Sequence, residues 1–166
     1  MVDRLDRKIL QILQEDATVP VAEIGRRVGL STTPCWRRIQ KLEEDGVITG
    51  RVALLNPEKV NTSVTAFVSI TTSQHKEEWL KRFAEVIREL PEVVEFYRMA
   101  GQVDYLLRVV VPDIAAYDTF YQQLISKIEI SDVSTTFAME QIKYTTSLPL
   151  NHLQINKERQ RSGSAA

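Results

Sequence analysis

The chain is poor in cysteine: Cys35 stands alone, so no internal disulfide can form. That fits a reducing compartment, with an intermolecular bridge left open. Net charge is nearly absent too, 21 Lys and Arg standing against 22 Asp and Glu for a formal charge of -1. A protein that coats nucleic acid by bulk electrostatics is thereby disfavoured. The N-terminal stretch MVDRLDRKILQILQED mixes acidic and basic residues into its apolar positions, unlike a signal peptide or a membrane span, so a cytoplasmic protein without membrane contact is expected. Histidine is scarce: His75 and His152 stand apart, with no metal-ligand spacing and no Ser-His-Asp or Cys-His arrangement. No glycine-rich phosphate loop occurs, and the acidic pair Glu43 and Glu44 falls on an exposed helix end. Neither an enzyme nor a metal or cofactor is expected.

What is present is enough to fold. Hydrophobic residues make up 43% and charged residues 26% of 166 positions, an ordinary balance for one globular domain or two small ones. Leu5, Ile9, Ile12 and Leu13 share one face of an amphipathic helix that ends near Asp16. Val21, Ile24, Val28 and Leu30 define a short second helix, with Gly29 at its C-terminal stop. Ser31, Thr32 and Thr33 offer capping hydroxyls, and Pro34 suits a first helical turn, so a third helix starts here. Cys35, Ile39 and Leu42 face its core at i, i+4 and i+7, and Gly46 ends it. VITGRVALLNP then reads as a β-hairpin turning at Gly50. Three short helices followed by a hairpin make a winged helix-turn-helix over residues 1–56.

Beyond a linker at 57–63 the period changes to strand alternation, at Val64, Ala66, Val68 and Ile70. A helix from Glu77 to Leu90, strands Val93–Met99 and Val103–Val111, a helix from Asp113 to Ile128 and a last strand Val133–Tyr144 follow. The order βαββαβ is that of a ferredoxin-like domain over 64–150, so the chain is α+β in two domains with a tail at 151–166. The sheet face away from the helices needs cover, and a second copy would supply it, giving a dimer. KERQRSGSAA at the end reads as disordered or partly foreign to the native chain.

The segment LDRKILQILQEDATVPVAEIGRRVGLSTTPCWRRIQKLEEDGVITGRVALLNPEKV resembles the DNA-binding half of the Lrp/AsnC, or feast/famine, family. The second half is similar to that family's amino-acid-sensing domain, and MAGQVDYLLRVVV resembles its Gly-x-x-Asp-Tyr strand motif. The stretches TTPCWRRIQKLEEDG and FAMEQIKYTTSLP are most similar to a cysteine-responsive branch. The resemblance implies an amino-acid effector, with L-cysteine as the candidate, ligand pockets where dimers meet, and dimers assembling into an octamer, a tetramer of dimers.

Between Ile24 and Leu42 the basic residues Arg26, Arg27, Arg37, Arg38 and Lys41 meet no acidic residue, a local charge of +5 on a nearly neutral chain. A recognition helix sets its N-terminal residues and one exposed face in the major groove of double-stranded DNA. Ser31, Thr32, Thr33, Trp36, Arg37, Arg38 and Lys41 are therefore the candidate contacts on a palindromic operator. Arg26 and Arg27 are candidates for phosphate. Ser31 to Thr33 could equally cap the helix, and Trp36 could pack between helices. Cys35 reads as a small core residue. For the effector, Ala100, Gly101, Gln102 and Asp104 form a tight connection where backbone N–H groups approach a ligand, and Asp104 could hold an α-ammonium group. The resemblance adds Thr135 and Thr136; a plain turn and surface threonines are the alternative. The rival functions are a module whose helices dock a protein rather than DNA, and an enzyme on a ferredoxin-like domain.

Overall fold

The computed structural model describes residues 2–74 and 76–154. The expectations placed on His75 and on KERQRSGSAA lie outside the described residues. The described residues divide into two compact units, 2–53 with 143–154, and those between 54 and 142.

The first unit holds α1 (Arg4–Glu15), α2 (Val21–Val28) and α3 (Thr32–Glu44). Their apolar stripes meet in one core of Ile9, Leu10, Ile24, Val28, Cys35, Ile39 and Leu42. Cys35 is fully buried there, and burial pushes its thiol pKa up, which makes it a packing residue rather than a nucleophile. Gly29 caps α2 in the left-handed conformation at φ 79°. Inside α2, Gly25 serves close approach rather than conformation, since a Cβ on it would sit 2.7 Å from the Leu30 carbonyl oxygen and 3.5 Å from Cys35 Cβ. The turn between α2 and α3 closes directly over a position that tolerates no side chain.

Two expectations are corrected here. The hairpin over 47–56 does not form, and the segment carries no paired strand. A two-residue hairpin turn requires positive φ, and Gly50 is not among the residues that adopt it. Val52, Leu54 and Leu55 are left exposed instead. Nor does the last strand reach Tyr144, since its residues end at Phe137. Residues 143–154 belong to the helical unit. Gln14 clasps them, its Nε2 donating to the Leu148 carbonyl at 3.1 Å and its Oε1 accepting from the Leu148 N–H at 3.1 Å, while Leu150 packs on the three-helix core.

The second unit is the expected βαββαβ arrangement: β1 (Val64–Thr71), α4 (Glu77–Arg88), β2 (Val93–Arg98), β3 (Tyr105–Val111), α5 (Ile114–Lys127) and β4 (Asp132–Phe137). The sheet order is β2-β3-β1-β4 with every neighbouring pair antiparallel. β4 ends at Phe137, paired with Ala66, and the Ala138 N–H still donates to the Thr65 carbonyl at 2.9 Å. Alternate residues of β1 and β3, among them Ala66, Val68, Ile70, Leu107, Val109 and Val111, are buried with Phe83 of α4 and Phe120 and Leu124 of α5. Both helices therefore cover one face. On the other face Phe67 stays 39% exposed opposite Arg108 and Thr136, and Arg108 pairs with Glu95 across the sheet at 2.7 Å.

Candidate DNA-binding and effector sites

The DNA-facing candidates are built on α3. Its first turn is Thr32, Thr33 and Pro34, preceded by the N-cap residue Ser31, and all four are exposed. Ser31 makes no side-chain capping bond, so capping leaves its hydroxyl available. Trp36 is 47% exposed and does not pack between the helices. Arg37 is exposed beside it. Thr32, Thr33, Trp36 and Arg37 fall one helical turn apart, at positions i, i+1, i+4 and i+5, and thus share one exposed side.

The basic cluster is less free than its sequence implies, because the carboxylates that meet it come from outside the stretch. Glu23 sits one residue before it and takes Arg26 Nε at 2.8 Å, Arg26 Nη2 at 2.7 Å and Arg27 Nε at 2.7 Å. Those hydrogen bonds, from Arg26 first and Arg27 second, pull the Glu23 carboxyl down to about 2. Lys41 pairs with Asp45 at 3.2 Å. Arg38 reaches back to α1, donating through Nη1 to Asp3 Oδ2 and Asp6 Oδ1, each at 2.7 Å. Of the five cations, Arg37 alone has no ion pair among the described residues.

Asp3 and Asp6 are themselves a capping box. Asp3 Oδ1 accepts from the N–H groups of Leu5 and Asp6, and Asp6 Oδ2 accepts from the N–H of Asp3 at 2.9 Å. Partial burial works to raise the Asp3 pKa, but the Asp6 N–H and the Arg38 guanidinium outweigh it, and the net direction is down. The D-x-x-D spacing before an apolar run is a visible signal for the cap. Its tie to a residue more than thirty positions away has none.

In the second unit, Ala100, Gly101 and Gln102 are exposed in the β2–β3 connection. Gly101 takes φ 154°, a backbone conformation that side chains rarely adopt. Asp104 is bound into the sheet end: Oδ2 accepts from the Thr72 N–H at 2.8 Å, its own N–H donates to the Ile70 carbonyl at 3.0 Å, and its carbonyl accepts from Met99 at 2.8 Å. Thr72, a buried polar residue, is thus part of this corner, and nothing in its sequence context marks it. Thr135 and Thr136 fall on opposite faces. Thr135 pairs with buried Val68 and its hydroxyl bonds that of Tyr117 on α5, whereas Thr136 pairs with Phe67 on the open face. One pocket on one side of the sheet cannot take both side chains.

A helix-turn-helix family description, the AsnC-type domain, matches residues 2–43, and the Lrp/AsnC ligand binding domain matches 65–148. The chain belongs to the Lrp/AsnC family of transcription regulators. Lrp/AsnC relatives agree along nearly the whole length. The chain is 52% identical to the DNA-binding transcriptional activator DecR of Escherichia coli strain K12 over 151 residues, 90% of this chain and 99% of that protein. It is 47% identical to a glutamate uptake regulatory protein of Zymomonas mobilis over 158 residues, 95% of this chain and 96% of that one. Among solved structures, an AsnC family transcriptional regulator from Agrobacterium tumefaciens superposes with a TM-score of 0.90 at 73% identity, covering 92% of this chain and 100% of that one. A Neisseria meningitidis transcriptional regulator solved as its L-Met complex gives a TM-score of 0.88 at 38% identity, covering 93% and 100%. The family is one of transcription regulators, not of enzymes.

Proposed function

We propose that this Lrp/AsnC protein binds a palindromic operator as a dimer, reading it with the N-terminal half of α3, and that a small amino acid shifts its DNA binding or assembly. The observation that carries the reading is the exposed side of α3, where Thr32, Thr33, Trp36 and Arg37 stand together with Ser31 uncommitted to capping. Hydroxyls and an arginine at a helix N-terminus suit phosphate and base-edge contact, and Arg26, Arg27 and Lys41 extend the surface toward phosphate. Two-fold symmetry then sets half-site spacing at about 10 base pairs or a multiple.

For the effector the reading assigns the corner at Ala100, Gly101, Gln102 and Asp104. One Asp104 oxygen is taken by Thr72, leaving Oδ1 to meet an ammonium group. Thr136 belongs with the open sheet face, and Thr135 acts through Tyr117. The open face carrying Phe67 is the proposed dimer surface, with dimers closing into an octamer in the cytoplasm. L-cysteine is the proposed effector, on the likeness to the cysteine-responsive branch. A relative bound to L-Met makes the wider class, small amino acids, the minimum statement. The ligand acts only through its differential affinity for two assembly or head arrangements. No catalysis is assigned.

The test is electrophoretic mobility shift on DNA upstream of the protein's own gene and its neighbours, with L-cysteine, L-methionine and a panel of other amino acids. A specific shift altered by cysteine supports regulator and effector together. One altered by another amino acid keeps the regulator and replaces the effector. No specific shift at low salt under any ligand turns the assignment to a protein-docking module.

A further inference from the structure

Arg38 lies on the recognition helix beside Arg37, and sequence order alone makes the two interchangeable as DNA contacts. The structure separates them. The Arg38 guanidinium donates two hydrogen bonds of 2.7 Å to carboxylates at the first turn of α1, one of them from the buried Asp6, whereas Arg37 is exposed and unpaired among the described residues. The same two carboxylates already cap α1. One guanidinium is therefore bolted to a cap whose backbone bonds fix both acceptors in place. Charge-assisted bonds to preorganised acceptors hold geometry far better than a solvated surface pair.

We propose that Arg38 is a positioning residue, not a DNA contact: its bridge to Asp3 and Asp6 fixes the rotation of α3 about its own axis and so aims Thr32, Thr33, Trp36 and Arg37, with Arg37 as the cation that reaches DNA. A helix held only by the apolar face of Cys35, Ile39 and Leu42 can roll on that stripe, because dispersion contacts are non-directional. A forked bond to a second helix resists the roll. The inference rests on the DNA-binding reading above and makes a prediction of opposite sign to the simple electrostatic view.

Asp3→Asn isolates the clamp. Asparagine caps a helix about as well as aspartate, but it removes the charge that faces Arg38. If Arg38 touched DNA, deleting a nearby carboxylate would strengthen binding. As a positioning residue, its loosening weakens binding, by about tenfold for the loss of one charge-assisted bond.

The experiment measures operator affinity of the full chain across a salt series for wild type, Asp3→Asn, Asp6→Asn, Arg38→Met and Arg37→Met, with thermal melts alongside. Expected are weaker binding in both aspartate variants, and in Arg38→Met a salt slope equal to that of wild type. The Asp3→Asn/Arg38→Met pair should cost no more than Arg38→Met alone. Arg37→Met should lower the slope by about one. Unchanged or tighter binding in Asp3→Asn, or a slope lowered by about one in Arg38→Met, overturns the proposal while leaving the regulator intact. Should Asp6→Asn fail to melt cooperatively, Asp3→Asn, with its cap preserved, decides the matter. Wild type that binds no DNA specifically would sink the parent reading instead.

Discussion

The two units solve the same problem, holding polar groups still, by opposite means. The sheet unit fixes its polar corner through the backbone: Asp104 is tied to Thr72, Ile70 and Met99 by main-chain groups of neighbouring strands. The helical unit holds its cations through side chains, with carboxylates on Arg26, Arg27, Arg38 and Lys41, those on Arg38 being anchored in turn by N–H groups at the start of α1. A site built on backbone is robust to substitution nearby. A site built on ion pairs can be tuned one residue at a time, and is exposed to salt and pH.

The cores are likewise separate, and substitutions can break the units one by one. The largest expected effect is in the sheet unit, where Phe83 is fully buried and packs against Trp79, Phe96 and Tyr105 with ring centroids 4.9 to 5.3 Å away. Phe83→Ala should cost about 3–5 kcal/mol. Calorimetry should show the loss in the transition of residues 54–142, with the helical transition of residues 2–53 retained. A joint collapse of both transitions would erase the distinction between the cores.

Next in size is Gly25→Ala. Elsewhere in a helix this exchange stabilises, by up to about 1 kcal/mol. Here the added methyl meets the Leu30 carbonyl oxygen at 2.7 Å, and that oxygen belongs to backbone that cannot step aside without opening the turn. A destabilisation of about 1–3 kcal/mol, typical of overpacking, is expected, with operator binding lost before the sheet unit responds. Urea unfolding followed by helical circular dichroism would report it; a variant as stable as wild type would refute the tight turn.

Much of this is legible in the sequence, for identifiable reasons. Helical and strand periods each report a buried face, so Ile9, Ile24, Cys35 and Ile39, and likewise Val68, Leu107 and Phe120, can be assigned to cores from spacing. Gly29 is legible because a C-terminal stop is a local event. Gly25 is not: what forbids its side chain is the carbonyl of Leu30 folding back over it, a contact between backbones. Gly50 misleads, since a glycine between apolar runs signals a hairpin only if both runs find each other. YTTSLPL carries strand-like residues, yet β4 ends at Phe137 and these residues pair with no strand. The basic stretch from Arg26 to Lys41 is visible as a cluster, yet its pairing is hidden, because Glu23 and Asp45 flank it and Asp3 and Asp6 reach it from α1.

The smallest effect sharpens the comparison most. Glu23 is held at about 2, against an ordinary value of 4.5, by hydrogen bonds from Arg26 and Arg27. A depressed carboxyl stabilises the fold wherever it is ionised: its contribution is complete above 4.5 and is lost as pH falls toward about 2. Glu23→Gln should therefore remove that contribution at neutral pH, flatten the acid limb of α2 unfolding in that window and change little near pH 2, as read by amide exchange across residues 21–28. Its effect on DNA is the more telling. With Arg26 and Arg27 as phosphate contacts, the Glu23 carboxylate competes with DNA for both guanidiniums, and its removal should tighten operator binding and steepen the salt dependence. Asp3→Asn removes the same charge a helix away and should loosen binding. Two carboxylates, each paired with arginine, then act in opposite directions, because one holds groups that touch DNA and the other holds the helix that carries them. If Glu23→Gln and Asp3→Asn move affinity the same way, the basic face behaves as undifferentiated charge, and the separate roles of Arg38 and of the Arg26–Arg27 pair collapse into one.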